Sequence, residues 1–464
     1  MKKVLSILLC ITMVAIFVIG CSRNEANNGT VEQPKDNSEK VEIGEATTED
    51  VQAALKDSNS VVVDARINDA YNGWALEGVS RGGHIPGATD FTAEGLISKQ
   101  EDATIILESS LENKGITPDK KVIVYDANGK DAKAVAEYLI KKGITDVSVY
   151  DVNEWAKNDS LEMESYPNYE LIVPASAVND LINGKAVDTF EEGVKVKIVE
   201  VSWGTVEESG YLEGHLPGAF HINTDWFEPP TETDPPEWRL GDDKTLIDLA
   251  LKFGITSSDT VITYSAQPMA AYRFATILHY LGVDDVRVMN GAMNQWNSEG
   301  YALETENVIP EPAKEFGVNA PARPNVVDTI AETQELLKQD DYVLVDNRTW
   351  KEYIGEETGY SYHNIAGRIE GAVFGYSGEG DSNSMTYYRN ADWTMRNGYE
   401  ILKMWEDAGI DTNKHMAYMC GGGWRAAEVY WFSRVMGIEN SSLFSDGWCA
   451  WSNDGLPFVT GEPK

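Results

Sequence analysis

Among the side chains able to do chemistry, Cys420 has the most instructive neighbours. The run Cys420-Gly421-Gly422-Gly423-Trp424-Arg425 follows the short apolar stretch 415–419 and leads into the apolar-rich stretch 426–432. This reads as a buried strand, a glycine-rich turn and a helix that begins near Arg425. Three glycines let several backbone N–H groups converge on one point. That point lies at the positive end of the helix, where an anion is favoured. The same field favours a thiolate, so Cys420 reads as a nucleophile, with Arg425 adding a positive charge to the pocket. A buried, inert cysteine before a loop is the plainer alternative.

The elements that position this loop recur along the chain. Copy one has a strand at 61–66, the turn Gly83-His84-Ile85-Pro86-Gly87-Ala88, a strand at 121–125, a turn at 126–131, a helix over about 132–142 and a strand at 147–151. Copy two has strands at 197–202, 260–265 and 286–291, with Gly214-His215-Leu216-Pro217-Gly218-Ala219 between the first two. Copy three has a strand at 342–348, the turn Gly367-Arg368-Ile369-Glu370-Gly371-Ala372, the cysteine loop and Asp446-Gly447-Trp448. Short apolar strands alternating with helices of about ten residues or more indicate an α/β fold with a mainly parallel sheet flanked by helices, here three times in tandem. In such sheets ligands bind beyond the carboxyl ends of the strands, where the cysteine loop lies. The expected domains are 42–165, 166–312 and 320–464.

The aspartate-ended first strand, the Gly-His-Ile-Pro-Gly-Ala turn, the cysteine loop and the late Asp-Gly-Trp resemble the rhodanese family of sulfurtransferases. Three copies with a loop cysteine only in the last resemble the exported three-domain bacterial members. The resemblance implies transfer of a sulfane sulfur through a persulfide on Cys420, cradled by the amides of Gly421, Gly422, Gly423, Trp424 and Arg425. The implied partners are a small anionic donor such as thiosulfate and a thiol or cyanide acceptor, with no cofactor. A non-catalytic surface carrier of sulfane sulfur is the rival.

Copies one and two depart from the pattern at the decisive positions. Asp126 and Ser265 stand where copy three has Cys420, and Asp131 and Ala270 where it has Arg425. A carboxylate cannot hold sulfur and would repel an anion, and Ser265, a nucleophile in principle, has no base beside it in the sequence, so both copies read as silent, serving to shape or cover the active cleft. In copy three Arg368 replaces the usual His and reads as a surface or salt-bridged residue, and Arg348 reads as half of an ion pair with Asp346. The Cys-x4-Arg spacing is one residue shorter than the Cys-x5-Arg of cysteine phosphatases and rhodanese-like arsenate reductases, which suits a terminal sulfur better than a tetrahedral oxyanion. The loop also lacks the ending of mercaptopyruvate sulfurtransferases, and Glu352 or a neighbour stands where those carry an arginine for the substrate carboxylate.

The insert between Trp350 and Arg396 is rich in aromatic residues, which suggests an inter-domain seam or a substrate mouth. Within it Ser377-Gly378-Glu379-Gly380-Asp381 lacks the regularly spaced acids of an EF-hand and reads as a solvated turn. Cys449 reads as a packed thiol, with a resolving role for the Cys420 persulfide as the sharper alternative.

Composition sets the outer bounds. The chain has 464 residues and a net charge of −37, which argues against nucleic acid or anionic lipid as partners and for a monomer. Lys2 and Lys3 precede an apolar run that ends Val18-Ile19-Gly20-Cys21. This reads as a secretory leader, residues 1–21, whose ending resembles a lipoprotein box with Cys21 as the lipidated residue. Residues 22–41 are polar and read as a flexible tether on the outer face of a membrane. Of the four cysteines, Cys10 leaves with the leader and Cys21 takes lipid. The remaining two form no disulfide framework, and nothing has the ligand spacing of a metal site.

Overall fold

The computed structural model describes residues 41–463. The leader, Cys21 and almost all of the 22–41 tether lie outside the described residues. The rest of the chain builds the same five-stranded parallel sheet three times.

The first sheet has strands β1 (Gly44–Glu45), β2 (Ser60–Asp64), β3 (Thr89–Asp90), β4 (Lys121–Asp126) and β5 (Val147–Asp151), in the order β1-β5-β4-β2-β3. The second has β6 (Ile172–Val173), β7 (Val196–Ser202), β8 (Phe220–Asn223), β9 (Thr260–Tyr264) and β10 (Asp285–Met289), in the order β6-β10-β9-β7-β8. The third sheet begins with β11 (Val327–Asp328) and β12 (Tyr342–Asp346). A two-residue strand β13 (Arg368–Ile369) leaves the sheet before β14 (Val373–Phe374) rejoins it. With β15 (His415–Met419) and β16 (Ser441–Phe444) the order is β11-β16-β15-β12-β14, while β17 (Phe458–Val459) pairs antiparallel with β13. Within the three sheets every pairing is parallel, for instance Asp346 of β12 beside Met419 of β15. Inside their ends the central strands run continuously hydrophobic rather than alternating, as at 122–125 of β4 and 416–419 of β15, because helices cover both faces.

The turns that close each sheet repeat as well. Tyr71, Tyr211 and Tyr353 each donate a hydroxyl hydrogen bond to the carbonyl of Ala88, Ala219 and Ala372. His84 stacks on Tyr71 at 3.8 Å and His215 on Tyr211 at 3.9 Å. In the third domain Arg368 takes that place, with its guanidinium 4.8 Å from the Tyr353 ring centroid and a bond to the Gly461 carbonyl. It is therefore a buried packing residue rather than a surface one.

Domains 2 and 3 share one apolar core. The helix that follows the loop of domain 2, Pro268–Leu281, lies along the helix that follows the cysteine loop, Trp424–Val435. Tyr272 meets Phe432 edge to face, and Trp431 donates to Thr276 at 2.9 Å. Domain 1 joins through a mixed seam, with Trp74 in an apolar cluster of domain 2, Ile106 beside Ala391 of domain 3, and a set of polar contacts. Lys114 sits between Asp90 and Glu400, Asn397 bonds Asp90, and Trp393 donates to Asp102.

Candidate active site

Cys420 follows the last residue of β15, the middle strand of its sheet, and opens onto the carboxyl ends of the strands. It is 1 % exposed, at the floor of a cleft of about 670 Å³. The loop returns on itself so that the Gly423 N–H donates to the Cys420 sulfur at 3.2 Å. The helix starts at Trp424, where first-turn amides have no carbonyl one turn back to bond. From the far side the Trp448 and Cys449 N–H groups donate to the carbonyls of Cys420 and Gly421 at 2.8 and 2.9 Å. The loop is thus fixed at its sulfur and at two carbonyls.

The three glycines differ in what surrounds them. A Cβ on Gly421 would lie 2.1 Å from the Tyr360 hydroxyl, and one on Gly423, at φ +87°, would lie 2.4 Å from the Ser445 carbonyl oxygen. Gly422 faces open space in the cleft.

Arg425 departs from its expected role. Its guanidinium is 1 % exposed and donates to both oxygens of Glu352 at 2.8 and 2.9 Å, to the Tyr360 hydroxyl at 2.7 Å and to Ser377 at 3.3 Å. Burial alone would raise the Glu352 carboxyl, but Arg425, with Arg348 behind it, brings it down to about 2. The positive charge is therefore matched by a carboxylate, and what the loop offers an anion is backbone dipoles. Ser377, expected on a solvated turn, is buried in this network and Gly378 is buried beside it, while Glu379 to Asp381 are exposed. Arg348 makes the expected ion pair with Asp346, at 2.8 and 2.7 Å, and adds the Gly367 carbonyl.

Domain 2 supplies the facing wall. Trp203, Asp225, Glu228, Glu237, Trp238 and Met269 line the cleft opposite Tyr360, Tyr362, His363, Trp424 and Cys449. Trp238 meets Tyr362 edge to face at 5.2 Å and donates to Asp225 at 2.9 Å. Domain 1 lines none of this cleft, so the expectation that both silent copies cover it holds for domain 2 alone. The aromatic insert does both things considered for it. Tyr360 and Tyr362 form the mouth, whereas Asn390, Trp393 and Met395 bond to domains 1 and 2 in the seam.

Several groups in the cleft are neutral. Burial pushes the Cys449 thiol up to about 12, so it stays protonated, and burial likewise raises the Tyr360 and Tyr362 hydroxyls. Burial, and then Arg348, lowers the pKa of His363. Because Arg425 donates to the Tyr360 oxygen, the Tyr360 O–H remains free to donate, and Tyr360 packs directly on Gly421. Sequence reasoning placed a silent copy and the aromatic insert at the cleft but did not single out Tyr360, Tyr362 or the residues of the domain 2 wall. Their only signal was the aromatic richness of the insert, since contacts across domains leave no spacing to read.

The counterparts of Cys420 turn inward on their own loops. Asp126 accepts from the Ala132 N–H at 3.0 Å and Ser265 from the Gln267 N–H at 3.1 Å. Among the described residues no group of three or more His, Cys, Asp or Glu side chains is placed to hold a metal.

Known proteins share this arrangement. The model of the rhodanese-like domain matches residues 47–158, 183–299 and 329–454. Thiosulfate sulfurtransferase YnjE of Escherichia coli (strain K12) is 34% identical over 414 residues, 88% of this chain and 91% of its own length. The structure of wild-type EanB aligns with a TM-score of 0.83 at 33% identity, covering 91% of this chain and 99% of that one. An anaerobic ergothioneine biosynthesis enzyme from Chlorobium limicola, in complex with its natural substrate trimethyl histidine, aligns at 0.82 with 34% identity, covering 91% and 100%. One EanB variant carries a cysteine persulfide in a tetrahedral intermediate state with ergothioneine. With three matched domains and relatives aligned along most of its length, the chain belongs to the rhodanese family of sulfurtransferases.

Proposed function

We propose that this enzyme moves a sulfane sulfur from thiosulfate or a similar donor to a small acceptor through a persulfide on Cys420. The Cys420 thiolate attacks the outer sulfur of the donor. The sulfur–sulfur bond of thiosulfate breaks, sulfite leaves with its electron pair, and the persulfide anion remains on the loop. The acceptor then attacks the terminal sulfur and restores the thiolate. The observation that carries this reading is the loop itself, a cysteine whose sulfur already accepts one amide hydrogen bond, at a helix start, with its middle glycine open to the cleft. Oriented amide dipoles stabilise charge developing on a terminal sulfur without a free cation.

The facing wall supports a second element of the proposal, an acceptor that carries a cationic group. Three tryptophans, two tyrosines and the carboxylate of Asp225 surround the cleft, while Arg425, Glu228 and Glu237 there are already in ion pairs with Glu352, Arg273 and Arg239. Aromatic faces beside carboxylates attract quaternary ammonium groups, and trimethyl histidine, bound by the enzyme from Chlorobium limicola, has one. The protein works outside the cytoplasm, held to a membrane by lipid on Cys21. The support for this is the leader, Lys2-Lys3 and an apolar run ending at Cys21.

Steady-state turnover tests both elements. With thiosulfate and cyanide the enzyme forms many equivalents of thiocyanate, whereas a pure carrier stops at one. With thiosulfate and trimethyl histidine the acceptor KM is lower, by about tenfold, than with imidazole propionate, which lacks the ammonium group. Equal values would remove the cationic acceptor from the proposal.

A further inference from the structure

Domain 2 reaches the cysteine loop with a single buried ion pair. Arg273, within the helix Pro268–Leu281, and Glu228 are 1 % and 3 % exposed, with Nε and Oε1 2.6 Å apart. The helix seam beside them is largely apolar, with Tyr272 on Phe432 and Trp431 against Thr276. Two charges buried there do not stabilise the fold more than apolar residues of the same size would. Their direction is more informative. The second Glu228 oxygen accepts from the Trp424 indole N–H at 2.7 Å. Arg273 Nη2 donates to the Ser445 hydroxyl at 2.7 Å. Arg273 Nη1 has no hydrogen-bond partner among the described residues and lies beside Gly423, where a Cβ would meet it at 2.8 Å.

Each of these contacts bears on Cys420. Gly423 supplies the amide on the sulfur, and Trp424 begins the helix. Ser445 opens the turn from which Trp448 and Cys449 hold the carbonyls of Cys420 and Gly421. Glu352 and Arg425 hold the loop from within domain 3, so it is gripped between two buried ion pairs, one from each domain.

We propose that Glu228 and Arg273 are positioning residues for Cys420, through which domain 2 sets the loop amides in the geometry that receives the terminal sulfur. The proposal rests on the reading of Cys420 as the sulfur carrier. It gives the silent second domain a part in the chemistry beyond walling the cleft.

The test uses the full chain with Arg273→Lys, Glu228→Gln and Trp424→Phe. Trp424→Phe removes only the indole donor and leaves the ion pair intact. Single-turnover persulfide formation is followed against thiosulfate concentration, alongside alkylation of Cys420 by iodoacetamide. The saturating rate is expected to fall about tenfold to a hundredfold in the ion-pair variants, because small misplacements at a reacting centre act on this scale. The half-saturating thiosulfate concentration stays within about twofold, and alkylation slows in parallel. Trp424→Phe falls severalfold in the same direction. Folded variants that keep the wild-type saturating rate, or whose loss is confined to donor affinity, would overturn the proposal. If the ion-pair variants do not fold, Trp424→Phe decides alone. If the wild type forms no persulfide, the sulfur-carrier reading fails, and the alkylation rates still decide the positioning.

Discussion

Gly421, Gly422 and Gly423 are chemically identical and carry different constraints. Gly421 is flush against the Tyr360 hydroxyl, and Gly423 sits at positive φ against Ser445, while Gly422 looks into the cleft. Gly422→Ser is therefore expected to keep persulfide formation within about threefold, since it adds a side chain only to open space. Gly421→Ala pushes Tyr360 off Arg425, and Gly423→Ala adds the penalty of a left-handed non-glycine residue, about 1–2 kcal/mol, to a backbone clash. Both are expected to lower the rate about a hundredfold or more, read as single-turnover persulfide formation with thiosulfate. If Gly422→Ser were as damaging as Gly421→Ala, the cleft would not open at Gly422. At this scale Arg425 also teaches something. Its spacing from Cys420 was legible, but its partner Glu352 lies far off in sequence and comes close only when the helix Trp350–Ile354 is docked.

At the scale of elements, the helix pair that carries the loop is held by packing more than by its ends. Trp431 is fully buried between the two helices and its indole bonds Thr276. Trp431→Phe should cost about 1–3 kcal/mol, from a lost hydrogen bond and a small void, measured by urea unfolding. A cost near zero would mean that the seam repacks freely. The strands were legible because both faces of each sheet are covered. The runs at 121–125 and 147–151 fall within β4 and on β5, and the helix expected at 132–142 spans Asp131–Lys141. The repeated His turns were legible as motifs, but their physical content, a ring stacked on a tyrosine whose hydroxyl ties the turn, appeared only in three dimensions. That is why Arg368 was misplaced at the surface. A guanidinium can stack on Tyr353 as an imidazole does, and charge alone does not reveal it.

At the scale of the molecule, three domains meet around buried acids. Asp69, from domain 1, accepts from Asn290 of domain 2 and faces Asp392 of domain 3, and burial pushes its carboxyl up to about 7. Glu94 is raised to about 8 by burial, with Asp392 and Glu299 adding to it and Gln295 opposing, and burial raises Asp392 as well. Unfolded carboxyls titrate near about 4, so between that pH and about 8 the folded state holds protons that the unfolded state has released. These groups stabilise the fold at low pH, and the contribution is lost as pH rises through 7 to 8. Asp69→Asn and Glu94→Gln should flatten the dependence of the urea midpoint on pH between about 5 and 8.5, and an unchanged slope would show that the junction does not titrate. The central claim, that sulfur travels on Cys420, is tested most directly by intact mass after incubation with thiosulfate, for the wild type and for Cys420→Ser. The account predicts a gain of one sulfur atom in the wild type only, reversed by cyanide with thiocyanate released. A gain in both proteins, or in neither with thiosulfate or any other persulfide donor, would contradict it.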